Sequence, residues 1–180
     1  MAAHEAPIDD DPAARTEAAV RAWVAASAVD GVEVVDCDPA LADTAAFCEA
    51  YGYALEDSAN AILVAGKADP PVHAVCVVLA TTKLDVNKAV RHRLGTRKAS
   101  FAPAADTTAI TGMAIGGVTP IGLPPGLPIW IDARVVARER IVVGGGSRAA
   151  KVVGPPALLL ALDGAEVVEG LAVEPGPPAS

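Results

Sequence analysis

Aromatic residues make up only 3% of this 180-residue chain, although 52% of its positions are hydrophobic. A core built here must come from Ala, Val, Leu and Ile. Long apolar runs are missing, and none reaches the roughly 18–20 residues that a membrane-spanning helix needs. The opening MAAHEAPIDDD is acidic and lacks the apolar segment of a secretory signal. Cysteine is scarce: Cys37, Cys48 and Cys76 are odd in number and scattered. That argues against a disulfide framework and leads us to expect a reduced, cytoplasmic protein. No CxxC or HxxxH completes a ligand set around His73 and Cys76, and residues three apart on a strand face opposite sides, so no metal site is expected. GxGxxG and GxxxxGKS/T are absent, which leaves nucleotide cofactors without support, and no cofactor is expected. Ser100 and Ser147 lack a His–Asp relay, and His92 reads as a surface residue, so a serine nucleophile is a weak idea.

The charge that is present is lopsided. The net charge is −8, and residues 1–70 carry fourteen Asp/Glu against three Lys/Arg. Residues 83–98 then hold six of the fourteen basic residues, Lys83, Lys88, Arg91, Arg93, Arg97 and Lys98, opposed only by Asp85. Such a total disfavours general nucleic-acid binding, which depends on neutralising phosphates. It leaves room for a local contact to one strand end, or for a merely solvated helix face.

The length suits one domain with a real core. We expect an acidic tail over residues 1–11, a domain over 12–172 and a proline-rich tail over 173–180. Ala14, Ala18, Val20, Trp23 and Val24 space a helix from Pro12 to about Ser27. Val32–Val35 reads as a strand. Asp38-Pro39 pairs an N-cap with a proline at N1 and predicts a helix to about Tyr51, with Gly52 near its end. Ala61–Ala65 and the strongly apolar Val72–Ala80 are strands joined across Lys67–Pro71, the second of them central. Asp85 caps a basic helix over Val86–Leu94 that stops at Gly95. Pro103 opens a helix to Thr111, with Gly112 after it. Pro128–Asp132, Arg140–Val143, Lys151–Val153 and Ala165–Leu171 are further strands, and Pro155–Leu162 is a helix. Short strands mixed with short helices predict an α+β fold: a single domain with a mixed, curved sheet and flanking helices.

Two glycine-rich stretches carry the candidate chemistry. Gly116-Gly117-Val118-Thr119-Pro120-Ile121-Gly122 lets backbone N–H groups approach a ligand, because glycine has no Cβ in the way. Gly144-Gly145-Gly146-Ser147 sits between two predicted strands. Taken alone, each loop could simply turn the chain.

Taken in order, Asn87-Lys88-Ala89, Leu94-Gly95 with Arg97-Lys98, Thr111-Gly112, the first glycine loop and Val142–Arg148 resemble the YbaK-type family of aminoacyl-tRNA editing domains. The resemblance implies hydrolysis of the ester of a mischarged tRNA in trans, with prolyl-tRNA species as the usual family substrates. The implied partners are the aminoacyl-tRNA 3′ end and a prolyl-tRNA synthetase. It makes Asn60, Gly116, Gly117 and Thr119 the expected catalytic positions, with loop N–H groups facing the developing oxyanion. With Asp132 added for its place at a strand end near the loops, the expected substrate-binding set is Lys88, Pro120, Asp132, Gly144, Gly145, Gly146 and Ser147. Lys88 would contact phosphate, and Asp132 would accept from the substrate amine. The chain departs from the family at Asn60, where a lysine tied to activity is usual, and at Ser147, where histidine or lysine is common. Asn60 therefore also admits the alternative of a binding module that has lost turnover.

Overall fold

A computed structural model describes residues 11–176. The expected tails lie outside the described residues except at their inner ends, where Asp11 caps the first helix and Val173 belongs to a strand.

Helix α1 (Pro12–Ala26) begins as its sequence asks: the Asp11 carboxylate accepts from the Ala13 N–H at 3.0 Å, and Pro12 occupies the first turn. Strand β1 (Glu33–Asp36) follows. The helix expected from Asp38 to Tyr51 is broken in two. A single 3-10 turn, Pro39–Leu41, is capped by Asp38, and α2 (Thr44–Tyr51) starts afresh after an extended Asp43. The break has a physical cause: the Ala42 carbonyl, which an unbroken helix would use internally, accepts a hydrogen bond from the Lys151 ammonium at 2.7 Å.

A hairpin of β2 (Ala59–Gly66) and β3 (Val72–Leu79) runs in antiparallel register from Ala59↔Leu79 to Gly66↔Val72. Next come β4 (Lys83–Leu84) and a basic helical segment, π-wide over Val86–Val90 and closing as α3 (Arg91–Leu94). Asp85 caps this segment by accepting from the Lys88 N–H, and Gly95 ends it at φ +66°. Then follow β5 (Ala99–Phe101), α4 (Ala104–Thr111), β6 (Ile129–Asp132), α5 (Ala133–Val136), β7 (Ile141–Gly144), β8 (Ala150–Gly154), α6 (Ala157–Leu160), β9 (Ala165–Val168) and β10 (Ala172–Val173).

Five strands make a mixed sheet in the order β5-β2-β3-β6-β9, parallel across β3-β6-β9 and antiparallel elsewhere. The apolar β3 is its centre, as its sequence predicts. A second, antiparallel sheet, β1-β8-β7, stands against the first and touches it through a parallel bridge between Ser58 and Val142. The α+β class, with a mixed sheet and several short helices, is borne out.

The two sheets and α1 enclose the main core, in which Val20, Val75, Val77, Ile131, Ile141 and Leu158 are fully buried. Each such aliphatic side chain contributes roughly 1.5–3 kcal/mol, so many small contributions replace the few large ones that aromatics would supply. The other face of the five-stranded sheet is covered by Val86 and Val90 of the basic segment, packed on Val64, Ala74 and Cys76. Burial there pushes the Cys76 thiol up to about 12. His73 and Cys76 do lie on opposite faces of β3, as strand alternation requires.

Candidate functional site

Strand β5 pairs with β2 only at Val64–Gly66, and the Ala102 N–H reaches the Leu63 carbonyl just beyond. Among the described residues no strand is registered with Asn60–Ile62 on that edge. The gap so left is a cavity of about 410 Å³ between the two sheets. Asn60, Ala61 and Ile62 form one wall, and Ala42–Thr44 and Phe47 form another. Gly116, Val118 and Gly144 close the third, with Lys151 at the β8 side. The volume falls within the usual range for small-molecule pockets, roughly 300–1,000 Å³. Two large apolar side chains on its lining, Phe101 and Ile115, are more than half exposed.

Both glycine loops meet here. The Gly146 N–H donates to the Gly117 carbonyl at 2.9 Å. A Cβ on Gly117 would lie 2.7 Å from the Ser147 carbonyl carbon, and one on Gly144 would strike the Val118 carbonyl. One on Gly145 would fall 2.6 Å from the backbone of Ala150, and one on Gly146 would sit 3.0 Å from the backbone of Thr16 on α1. Glycine is therefore demanded by the approach of one backbone to another. Gly116 stands at φ +91° in the turn closed by the Gly117 N–H donating to Ala114 at 3.0 Å, a conformation that suits glycine at the third turn position.

These bonds revise several expected roles. The Gly117 and Gly146 N–H groups are already spent within the loops, so neither is an open oxyanion donor. Gly116 remains on the cavity wall. Ser147 faces α1 instead of the cavity: its hydroxyl donates to Glu17 at 2.5 Å and accepts from the Ala149 N–H. Thr16 adds a bond to the Gly146 carbonyl at 2.6 Å, so α1 clamps the second loop. Thr119 is fully buried, and its hydroxyl accepts from the Ile121 N–H behind the wall. Pro120 lines a separate cleft with Trp23 and Pro124. Asp132 is buried with both carboxylate oxygens occupied, one accepting from the Arg134 N–H that starts α5 and the other from the Ala172 N–H. It is a structural clasp outside the cavity. Lys88 is exposed on the opposite face of the five-stranded sheet from the cavity.

Asn60 does line the cavity, and its side-chain oxygen accepts from the Thr44 hydroxyl at 3.0 Å. The residues that sequence reasoning missed come from β8 and the loop before it. Lys151 is 6% exposed, and its ammonium lies 5.7 Å from the Phe47 ring centroid. Burial lowers its pKa below the ordinary lysine value; Arg148 lowers it further, while Cys37, Asp43 and Cys48 oppose the shift. Arg148 holds the rim: its guanidinium donates to the Pro39 carbonyl at 3.0 and 3.2 Å and lies 3.4 Å from Asp43, against Gly116. The available signal was parity. Lys151 shares a strand face with the fully buried Val153, an unusual place for lysine.

Paired glycine loops, an open strand edge and a buried cation thus wall one pocket of a single α+β domain. A profile of the aminoacyl-tRNA editing domain matches residues 38–162, more than half of the chain, and the protein belongs to that family. A crystal structure assigned, as a candidate, to a trans-editing enzyme for prolyl tRNA synthetase is similar at 24% identity and TM-score 0.73, covering 96% of this chain and 99% of that one. A crystal structure of a hypothetical protein is similar at 21% identity and TM-score 0.75, covering 86% and 99%. A scaffold from computational epitope grafting is similar at 24% identity and TM-score 0.72, covering 96% and 100%. These likenesses show the shared fold. Helix α1, with the Thr16 and Glu17 that clamp the second loop, lies ahead of the family-matched region, and Gly146 and Ser147 lie within it. Among the described residues no helix is long and apolar enough to cross a membrane.

Proposed function

We propose that this domain hydrolyses the ester of a mischarged aminoacyl-tRNA, acting in trans, on prolyl-tRNA-type substrates. The observation that carries the reading is the meeting of both glycine loops and Asn60 around one cavity in a chain of the editing family. The aminoacyl group enters between Ala42, Ala61 and Val142, a small apolar chamber suited to a short side chain. The exposed ring of Phe101 offers the terminal adenine a stacking surface at the mouth. Asp43, exposed on the lining and held by Arg148 through one carboxylate oxygen, takes the α-ammonium with the other, the role that Asp132, occupied at both oxygens, does not fill. Arg148 at the rim faces the backbone of the 3′ end.

In the reaction, the oxygen of a water bonds to the acyl carbon and the ester C–O bond breaks. The departing ribose oxygen takes up a proton, and negative charge passes through the carbonyl oxygen on the way. The unpaired edge of β2 and the Gly116 turn are the backbone surfaces nearest that oxygen. The test is release of amino acid from Cys-, Ala-, Ser- and Thr-tRNA by the purified chain, beside binding of the same tRNAs. Turnover of one or more supports the reading; binding to all with turnover of none makes the protein the non-catalytic module that the neutral Asn60 admits.

A further inference from the structure

Lys151 is the one buried lysine or arginine among the described residues. An ammonium has three N–H donors, and Ala42 takes one of them at 2.7 Å. Among the described residues no carboxylate lies within salt-bridge distance of Lys151, and no second acceptor meets it. Asp43 is the nearest acidic influence, and its carboxylate is turned to Arg148. The remaining neighbours are the Phe47 ring and the thiols of Cys37 and Cys48. A charge held under apolar cover without an ionic partner costs stability. Strand β8 would be served at least as well there by the valine that fills the next two positions, so a structural account of Lys151 is incomplete. Lys151 lines the same cavity as Asn60 and Gly116, where its uncommitted donors meet whatever the cavity holds.

We propose that Lys151 is a catalytic residue of this site, donating from its ammonium to the carbonyl oxygen of the bound aminoacyl ester and stabilising the negative charge that grows there. This rests on the deacylase reading above. Lys151 keeps its protons throughout: water supplies the new C–O bond, and the ribose oxygen receives its proton by way of solvent. Asn60 on the facing wall is neutral and engaged with Thr44, so it is not the source of positive charge. The lowered pKa has a consequence for rate. Activity through Lys151 falls as pH rises through that lowered value, earlier than for an exposed lysine, and the groups facing it that shape this limb are Cys37, Cys48, Asp43 and Arg148.

The experiment compares the full-length protein with Lys151→Met and Lys151→Gln. It uses single-turnover deacylation on the best tRNA of the panel between pH 6.5 and 9.5, with spontaneous hydrolysis subtracted. The Gln variant retains a donor toward Ala42 and serves if the Met variant does not fold. Binding of an amide-linked aminoacyl-adenosine, which cannot turn over, is measured alongside. The expected result is a roughly 100- to 1,000-fold loss of turnover at neutral pH, as for removal of one oxyanion donor. Affinity for the amide analogue changes by no more than a few-fold, and the alkaline limb disappears in the variants. Turnover within about threefold of the parent, or an unchanged alkaline limb, overturns the proposal. Should the parent hydrolyse no tRNA, the deacylase reading fails by itself and the catalytic role falls with it. Analogue affinity then decides whether Lys151 still contacts ligand: a tenfold loss in both variants shows that it does, and equal affinity shows that it does not.

Discussion

The ammonium of Lys151 and the carbonyl of Ala42 are joined at 2.7 Å, and this bond ties β8 to the break between the Pro39–Leu41 turn and α2. It shapes the cavity wall and holds a cation under apolar cover. Because burial lowers the pKa of Lys151 in the folded chain, the unfolded chain binds more protons between that lowered value and the ordinary 10.5. Stability of the parent therefore rises with pH through this window, and the cost of burying the charge is fully present below it. Denaturant melts of parent and Lys151→Met at several pH values from 7 to 10.5 should show the variant losing ground to the parent as pH rises. A difference independent of pH would mean that the ammonium is not desolvated.

Gly117 bears on the backbone of Ser147, and any side chain there must push the second loop away. Gly117→Ala should destabilise the fold by about 1–3 kcal/mol, the usual range for overpacking. For a chain of this size that is a fall in Tm of roughly 2–4 °C per kcal/mol. Activity should fall with it, more than in Asn60→Ala, which gives up one bond to Thr44 worth about 1 kcal/mol. Melting curves beside deacylation rates check both. An unshifted Tm in Gly117→Ala would contradict the packing account.

Much of the framework was legible because local signals are strong where they exist. Pro12, Asp85 and the glycines after residues 51, 94 and 111 mark helix ends that the fold uses, whereas Asp11, read as tail, proves to be the cap of α1. The apolar run from Val72 reads as a central strand, and β3 stands at the middle of the five-stranded sheet. The break after Leu41 was not legible, since it depends on a lysine 109 residues later. The expected last strand, Ala165–Leu171, is shorter than read because Ala172–Val173 turns aside to pair with Lys83–Leu84, and a two-residue ladder leaves no periodic trace. At the site, the two loops and Asn60 were found from the order of motifs. Asp132 and Ser147 were misplaced, because which way a carboxylate or hydroxyl faces is decided by partners remote in sequence, Ala172 and Glu17. Lys151 carries no local mark beyond strand parity, and Arg148, which closes the stretch Val142–Arg148, gives no local sign that it turns to Pro39 and Asp43.

Lys88 and Arg91 project from the far face of the sheet, so they can meet the body of a tRNA but not the aminoacyl group. Changing both to alanine should lower the logarithmic salt slope of tRNA binding by about 0.7–0.9 for each phosphate that is no longer neutralised. Affinity for aminoacyl-adenosine should not change. Titrations at several salt concentrations check this, and an unaltered slope would leave the segment a solvated face.

Phe101 stands exposed at the mouth on β5. Phe101→Ala should weaken binding of a terminal adenosine by about 1–3 kcal/mol, with little change in Tm because the ring covers no core. Calorimetric titration with adenosine-terminated oligonucleotides reads it; equal affinity would remove the stacking role.

The central claim, that this cavity is where an aminoacyl ester is cleaved, is tested most directly by adding a plug. Ala61 lines the cavity on the open edge of β2, and Ala61→Leu places three further carbons there. Deacylation of Cys-, Ala-, Ser- and Thr-tRNA is measured for the parent and for the folded variant side by side. The account predicts that the parent releases amino acid from at least one of the four and that the plugged variant loses that activity. No release by the parent, or equal release by the variant, would contradict it.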